Sequence, residues 1–225
     1  MPAKPARPKI PSPDVRATSH TRERAELQRL ALDFIVHELG NAASPILMIA
    51  ELIDRDGTGA TSTRSARSLR QTAANLREIA AAIRYFRADP GSESLMPAAF
   101  SDTKTWWLRL APLFGACLPR SARLSEEITA VTADDHTLAA LTWSTLGILR
   151  LISCALPNVS DVSVSCSAGA DSGVLIRISV AGARKAELTT DGRRWRRFIS
   201  AEARAAGARF IVAETPTHTS FEVIL

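Results

Sequence analysis

The stretch Phe34-Ile35-Val36-His37-Glu38-Leu39-Gly40-Asn41-Ala42-Ala43-Ser44-Pro45-Ile46 decides how this 225-residue chain is read. It lies inside a longer apolar pattern. Leu27, Ala31, Ile35, Leu39, Ala42, Ile46, Ile49 and Ile53 recur at spacings of three and four. At about 100° per residue they fall within roughly 60° of one direction, which predicts an amphipathic helix from near Thr21. His37 points roughly 150° away from the centre of that stripe, toward solvent. Asn41 lies one turn on and faces a similar way, while Glu38 sits closer to the edge of the stripe. Pro45 removes the hydrogen bond to the Asn41 carbonyl and favours a bend. A helix needed only for stability would avoid Gly40 and Pro45.

Outward from this helix, Asp54-Arg55-Asp56-Gly57-Thr58-Gly59 has turn chemistry. A second helical pattern follows: Leu69, Ala73, Leu76, Ile79, Ala80, Ile83 and Phe86, stopped by Asp89-Pro90-Gly91. Two long helices joined by a short turn make an antiparallel hairpin. A hairpin alone buries little, so its stripe needs a partner. A homodimer closing a four-helix bundle is the simplest solution.

From residue 98 the texture changes. The pattern predicts a helix over 101–117, a strand over 123–131 and a helix capped by Asp134 or Asp135 that runs to about 156. Two strands follow, 161–168 and 174–180, around the glycines of 169–173. A helix over 195–206 stops at Gly207. Strands 209–213 and 220–225 flank Thr215-Pro216-Thr217. That order predicts one sheet with helices on one face, an α/β sandwich. The expected organisation is a disordered basic tail (1–18), a helical hairpin (19–90) and an α/β domain (98–225). The fold class is therefore α plus α/β.

The segment around His37 resembles the phosphoacceptor box of sensor histidine kinases, His-Glu/Asp-Leu-x-Asn/Thr followed by Pro. His37, Glu38, Leu39 and Asn41 match. The family usually places Pro directly after the Asn/Thr; here Ala42 stands there and Pro45 follows three residues later. The resemblance implies that His37 carries a phosphoryl group on a ring nitrogen. An imidazole with an ordinary pKa near ~6.5 is largely neutral at cytoplasmic pH and has a lone pair for attack. Glu38 would orient His37 or accept its proton. Asn41 would position a water during hydrolysis of a partner's phosphoaspartate. The partner aspartate and its Mg²⁺ would belong to a response regulator receiver domain, with a hybrid kinase as a candidate upstream source. No cofactor is expected on this chain. A zinc-type His-Glu-x-x-His helix is excluded because Asn41 stands where the second His would be.

The element order after residue 98 also resembles the ATP-binding domain of histidine kinases, but its nucleotide motifs do not survive. The family's Mg²⁺-holding Asn falls at Cys154 in Arg150-Leu151-Ile152-Ser153-Cys154-Ala155, and a thiol is a poor ligand for hard Mg²⁺. The adenine-reading Asp falls at Val180 in Ile178-Ser179-Val180-Ala181-Gly182-Ala183-Arg184, with Arg184 in place of the second Gly. A Gly-rich lid is absent. ATP-dependent autophosphorylation is therefore not expected. The resemblance points to a histidine phosphotransferase similar to dimeric, kinase-like ones. The alternatives on the same fold are a phosphatase and a receiver-sequestering pseudokinase.

Composition fits this frame. Hydrophobic residues make up 46% of the chain and aromatics only 5%, so the core is mostly aliphatic. Trp106, Trp107 and Trp143 are expected inside it. Cys117, Cys154 and Cys166 share no metal-ligand spacing and suit a reducing cytoplasm. Residues 1–24 hold six Lys/Arg against two Asp/Glu, which accounts for most of the net charge of +5. No apolar run follows that leader as in a secretory signal, and 138–156 is interrupted by Arg150 and hydroxyl residues, so no membrane span is expected. In Arg193-Arg194-Trp195-Arg196-Arg197, Trp195 and Ile199 share a face at i, i+4, so the arginines read as the exposed side of an amphipathic helix. A nucleic-acid-binding scaffold is a third alternative, disfavoured because the tail carries no aromatics.

Overall fold

A computed structural model describes residues 13–56, 67–74, 76, 102–156, 158–169, 173–181, 189–215 and 217–225. Helix α1 (Pro13–Asp56) is followed by a helical stretch, α2 (67–74). Then come α3 (Thr103–Ala116), β1 (Arg123–Ile128), α4 (Asp135–Ala155), β2 (Asp161–Ala168), β3 (Val174–Ala181), α5 (Thr190–Ala205), β4 (Arg209–Glu214) and β5 (His218–Ile224). Within the α/β part, the expected order of elements is present throughout.

The five strands form one mixed sheet in the order β1-β2-β3-β5-β4. β1 and β2 pair in parallel, with Leu124 opposite Val162. Parallel neighbours need a long crossover, and α4 supplies it. The other three pairings are antiparallel. Strand alternation explains why one face is buried. Val162, Val164 and Cys166 of β2, Ile176, Ile178 and Val180 of β3, and Phe221 and Val223 of β5 point inward. Helices α3, α4 and α5 cover that face. Each fully buried aliphatic or aromatic side chain contributes about 1.5–3 kcal/mol, so this layer dominates stability.

Local chemistry fixes the helix ends. Asp102 accepts from Thr105 N at 2.8 Å to open α3, and Asp134 accepts from Thr137 N at 2.7 Å to open α4. Thr189 accepts from Gly192 N at 3.1 Å, so α5 begins at Thr190, five residues before the expected start. Its first turn is polar and carries no apolar periodicity. Gly207, at φ 72°, supplies the left-handed residue that stops α5. Trp106, Trp107 and Phe114 pack ring on ring in α3 with centroids 5.0–5.9 Å apart. Trp106 Nε1 donates to Thr142 Oγ1 at 2.9 Å, and Trp107 Nε1 donates to Glu126. Helix α4 is long and apolar enough to cross a membrane by length and composition, but most of it is buried between α5 and the sheet.

The helical N-terminal part departs from expectation in three ways. Residues 13–18, expected in the disordered tail, are the first turns of α1. The helix also runs through Asp56, into the segment expected to turn. Most importantly, the first three residues of the apolar stripe have a partner in their own chain. Leu27, Ala31 and Ile35 join the core of the α/β domain. Leu39 and Ile46, on the same expected stripe, are exposed. Each i+4 step turns about 40° past a full turn, so Leu39 has rotated about 120° from Leu27 and out of the contact. The second hairpin helix beyond 76, its stop at Asp89-Pro90-Gly91 and the segment 182–188 lie outside the described residues.

Candidate functional site

The three residues singled out by sequence sit together on α1. His37 and Asn41 are exposed and Glu38 is half-buried. Asn41 Nδ2 donates to Glu38 Oε1 at 3.2 Å, an i, i+3 contact along the helix. His37 makes no hydrogen bond among the described residues. Its ring is therefore open to an incoming group, while the neighbouring carboxylate is held by the amide. The helix continues through Pro45 to Asp56. Pro45 cannot donate to the Asn41 carbonyl, and one residue earlier Ser44 Oγ donates to the Gly40 carbonyl at 3.1 Å. A Cβ added at Gly40 would meet nothing within 4 Å, so the surface beside His37 is open.

A second cluster, not anticipated from sequence, ties α1 to the α/β domain. Glu23 and Glu26 of α1 converge on Arg194 of α5. Arg194 Nη2 lies 2.5 Å from Glu26 Oε2, and its Nε lies 3.2 Å from Glu23 Oε1, an ion pair without hydrogen-bond alignment. Glu26 Oε1 also accepts from Arg150 Nη2 of α4 at 3.0 Å. On the far side of α1, Arg24 Nη1 donates to Glu202 Oε1 of α5 at 3.3 Å and lies 4.6 Å above the Trp143 ring. Glu23 is 1% exposed, so it is tolerated there only because cations face it. The hydrogen bonds among them pair residues 124 to 178 positions apart. The only local signal was acidic residues at i and i+3 on α1.

Truncating Arg194 to Ala is expected to lower stability by about 2 kcal/mol, since it removes charge-assisted contacts to a buried carboxylate. Urea denaturation measures this. A midpoint equal to that of the unaltered protein would show that the cluster does not hold the two parts together.

Cys154, which the family resemblance sets in place of a Mg²⁺ ligand, is half-buried on α4, one turn beyond Arg150. Burial pushes its thiol up, against the pull of Arg150, and Asp191 and Glu26 push the same way. Burial raises Cys117 further, to about 11, and also raises Cys166. Raised thiols stay protonated at pH 8, and the thiolate is the nucleophile. Alkylation of the native chain should therefore be at least about tenfold slower than in denaturant. The stabilisation from burying these neutral thiols is full below about pH 9 and is lost as pH rises toward the folded values. Equally fast alkylation in both states would contradict this.

The cluster Arg193-Arg194-Trp195-Arg196-Arg197 divides as its i, i+4 spacing predicts. Trp195, Phe198 and Ile199 are buried, and Arg193, Arg196 and Arg197 are exposed. The inward exception is Arg194, described above.

No protein-family model matches the sequence, and no curated protein matches it. Among solved structures, the chain is similar to a bacterial phosphotransferase solved at 1.7 Å, with 16% identity over 88% of this chain and 96% of that one, TM-score 0.43. It is similar to the histidine kinase domain of the blue-light activated histidine kinase EL346 from Erythrobacter litoralis, with 13% identity over 91% and 94%, TM-score 0.46. The Acinetobacter baumannii histidine kinase AdeS is similar at 14% identity over 81% and 95%, TM-score 0.39. At these identities and overlaps, the roles of individual residues rest on the chain's own chemistry.

Proposed function

We propose that the chain is a histidine phosphotransferase of a two-component phosphorelay, carrying a phosphoryl group on His37 between receiver-domain aspartates. The observation that carries this reading is an exposed imidazole, without a hydrogen bond among the described residues, on a long helix beside the Glu38–Asn41 pair. In the forward step, a ring nitrogen of His37 attacks the phosphorus of an aspartyl phosphate. The N–P bond forms as the P–O bond breaks, and the electron pair leaves with the aspartate carboxylate. The proton on the other ring nitrogen can pass to Glu38 or to water. The reverse step delivers the group to a second aspartate. Such transfer depends on positioning and charge neutralisation, with Mg²⁺ expected on the partner receiver.

The α/β domain acts as a platform in this reading. Arg150 and Arg194, the cations beside Cys154, are already engaged by carboxylates of α1. The proposed protein is a cytoplasmic homodimer. Val36 and Leu47 are 66% and 65% exposed, and Leu39, Ile46 and Met48 are exposed beside them. Val36, Leu39, Ile46 and Leu47 fall within about 100° around the helix and form an apolar surface suited to a four-helix bundle with a second copy, whereas Met48 lies on the side of His37. The test is phosphotransfer on Phos-tag gels from phosphorylated receiver domains and from Mg-ATP alone. Label from a receiver and none from ATP is expected. Label from ATP alone would make the protein a kinase instead.

A further inference from the structure

The outer face of α5 carries exposed arginines. Trp195, Phe198, Ile199 and Glu202 turn inward, and Arg194 is spent on α1. Arg196 and Arg197 point outward and, among the described residues, form no ion pair. Among the described residues their hydrogen bonds stay within the helix: Arg197 Nε donates to the Arg193 carbonyl at 3.4 Å, and the Arg196 carbonyl accepts from Ser200 Oγ at 2.9 Å.

The position of this face relative to His37 follows from the ion pairs. Glu26 and His37 are eleven residues apart on one unbroken helix, so they differ by only about 20° around its axis and about 16 Å along it. Glu23 is within about 40° of His37 by the same arithmetic. Arg194, near the start of α5, is held on that side. Glu202, near its end, is held by Arg24, which lies about 140° further round from His37. Helix α5 therefore crosses α1, with its Arg193–Arg197 turn overhanging the side that bears His37. A domain about 30 Å across that seats itself on His37 reaches this turn.

We propose that Arg196 and Arg197 form a docking surface for the receiver domain that exchanges a phosphoryl group with His37. The inference rests on the phosphotransfer reading above. Charge complementarity selects this occupant. An aspartyl phosphate brings close to two negative charges into a site already acidic enough to hold Mg²⁺. Two guanidiniums without an ion pair among the described residues, on the α5 turn that Arg194 anchors at Glu26, attract it and set its orientation. A nucleic acid fits less well, because Trp195 is fully buried and offers no stacking surface beside the arginines.

The test is binding of purified receiver domains from the same genome, with and without beryllofluoride, at low and moderate salt. Arg196→Glu/Arg197→Glu should weaken binding about tenfold at low salt and flatten its salt dependence. Both residues are exposed, so thermal melting should be unchanged. His37→Ala should bind as tightly as the unaltered protein. Equal binding by the double variant overturns the docking surface, as does failure of any receiver to bind the unaltered chain. Loss of duplex DNA binding in place of receiver binding also overturns it. Receivers that bind through the arginines yet never label His37 support the surface and overturn the phosphotransfer reading alone.

Discussion

Replacing His37 with alanine should reduce phosphoryl acceptance from receiver domains by about a thousandfold or more, the scale on which loss of an essential nucleophile is felt. The argument is chemical. Among the described residues of α1, the polar groups within one turn of it include two carboxylates, Asp33 and Glu38, and an amide, Asn41; Asp33 pairs with Arg29, and Asn41 donates to Glu38. None of these replaces an imidazole nitrogen as the nucleophile. The fold should be indifferent to the change. His37 is exposed, and alanine is the better helix former by about half a kcal/mol, so melting should hold steady or rise slightly. Phos-tag gels and a melting curve on the same preparation check both halves. Undiminished label in His37→Ala would remove His37 from the chemistry. Label lost together with cooperative melting would point to a structural role.

The sheet and its helices were legible because burial follows residue period. Strand β2 alternates Val162, Val164 and Cys166 inward with Ser163 and Ser167 outward, and β3 does the same with Ile176, Ile178 and Val180. Asp134 and Gly207 announce their helix ends by local hydrogen bonding and by a positive φ. The exposed position of His37 was legible for the same reason, since angle around a helix is a local property. What sequence did not show is what each face meets. Leu27 and Leu39 look equivalent on a stripe, yet one is buried in the α/β core and the other is exposed. Glu23, Glu26 and Arg194 look like solvated charges, and only the tertiary fold brings them to 2.5–3.2 Å. Charge and apolar periodicity specify that a face exists; pairing across more than a hundred residues is set by the whole packing arrangement.

The packing that places α5 over α1 also needs a small residue on α4, and Gly147→Leu should therefore be strongly destabilising. Gly147 lies in the buried middle of α4, where α5 crosses it. A Cβ there would sit 2.9 Å from Ile199 Cγ1 and 3.2 Å from Phe198 Cδ1. Alanine gains about 1 kcal/mol of helix propensity over glycine, but Ile199 Cγ1 is an inner atom of a stiff, buried side chain that must shift. Gly147→Ala should thus cost about 1 kcal/mol net. Leucine puts three further carbons into the same space, against two residues that are themselves fully buried. The expected cost is about 3 kcal/mol, because close-packed neighbours have nowhere to retreat. Urea denaturation of the pair reads the difference. The damage should also travel. If α5 is pushed off α4, Arg194 is drawn from Glu23 and Glu26, and amide exchange should quicken in the 21–35 part of α1 while the β2–β3 hairpin stays protected. Equal midpoints for the alanine and leucine variants would mean that the two helices do not approach this closely. A leucine variant that is destabilised yet unchanged in α1 exchange would uncouple the α4–α5 crossing from the contact that orients the domain beside His37.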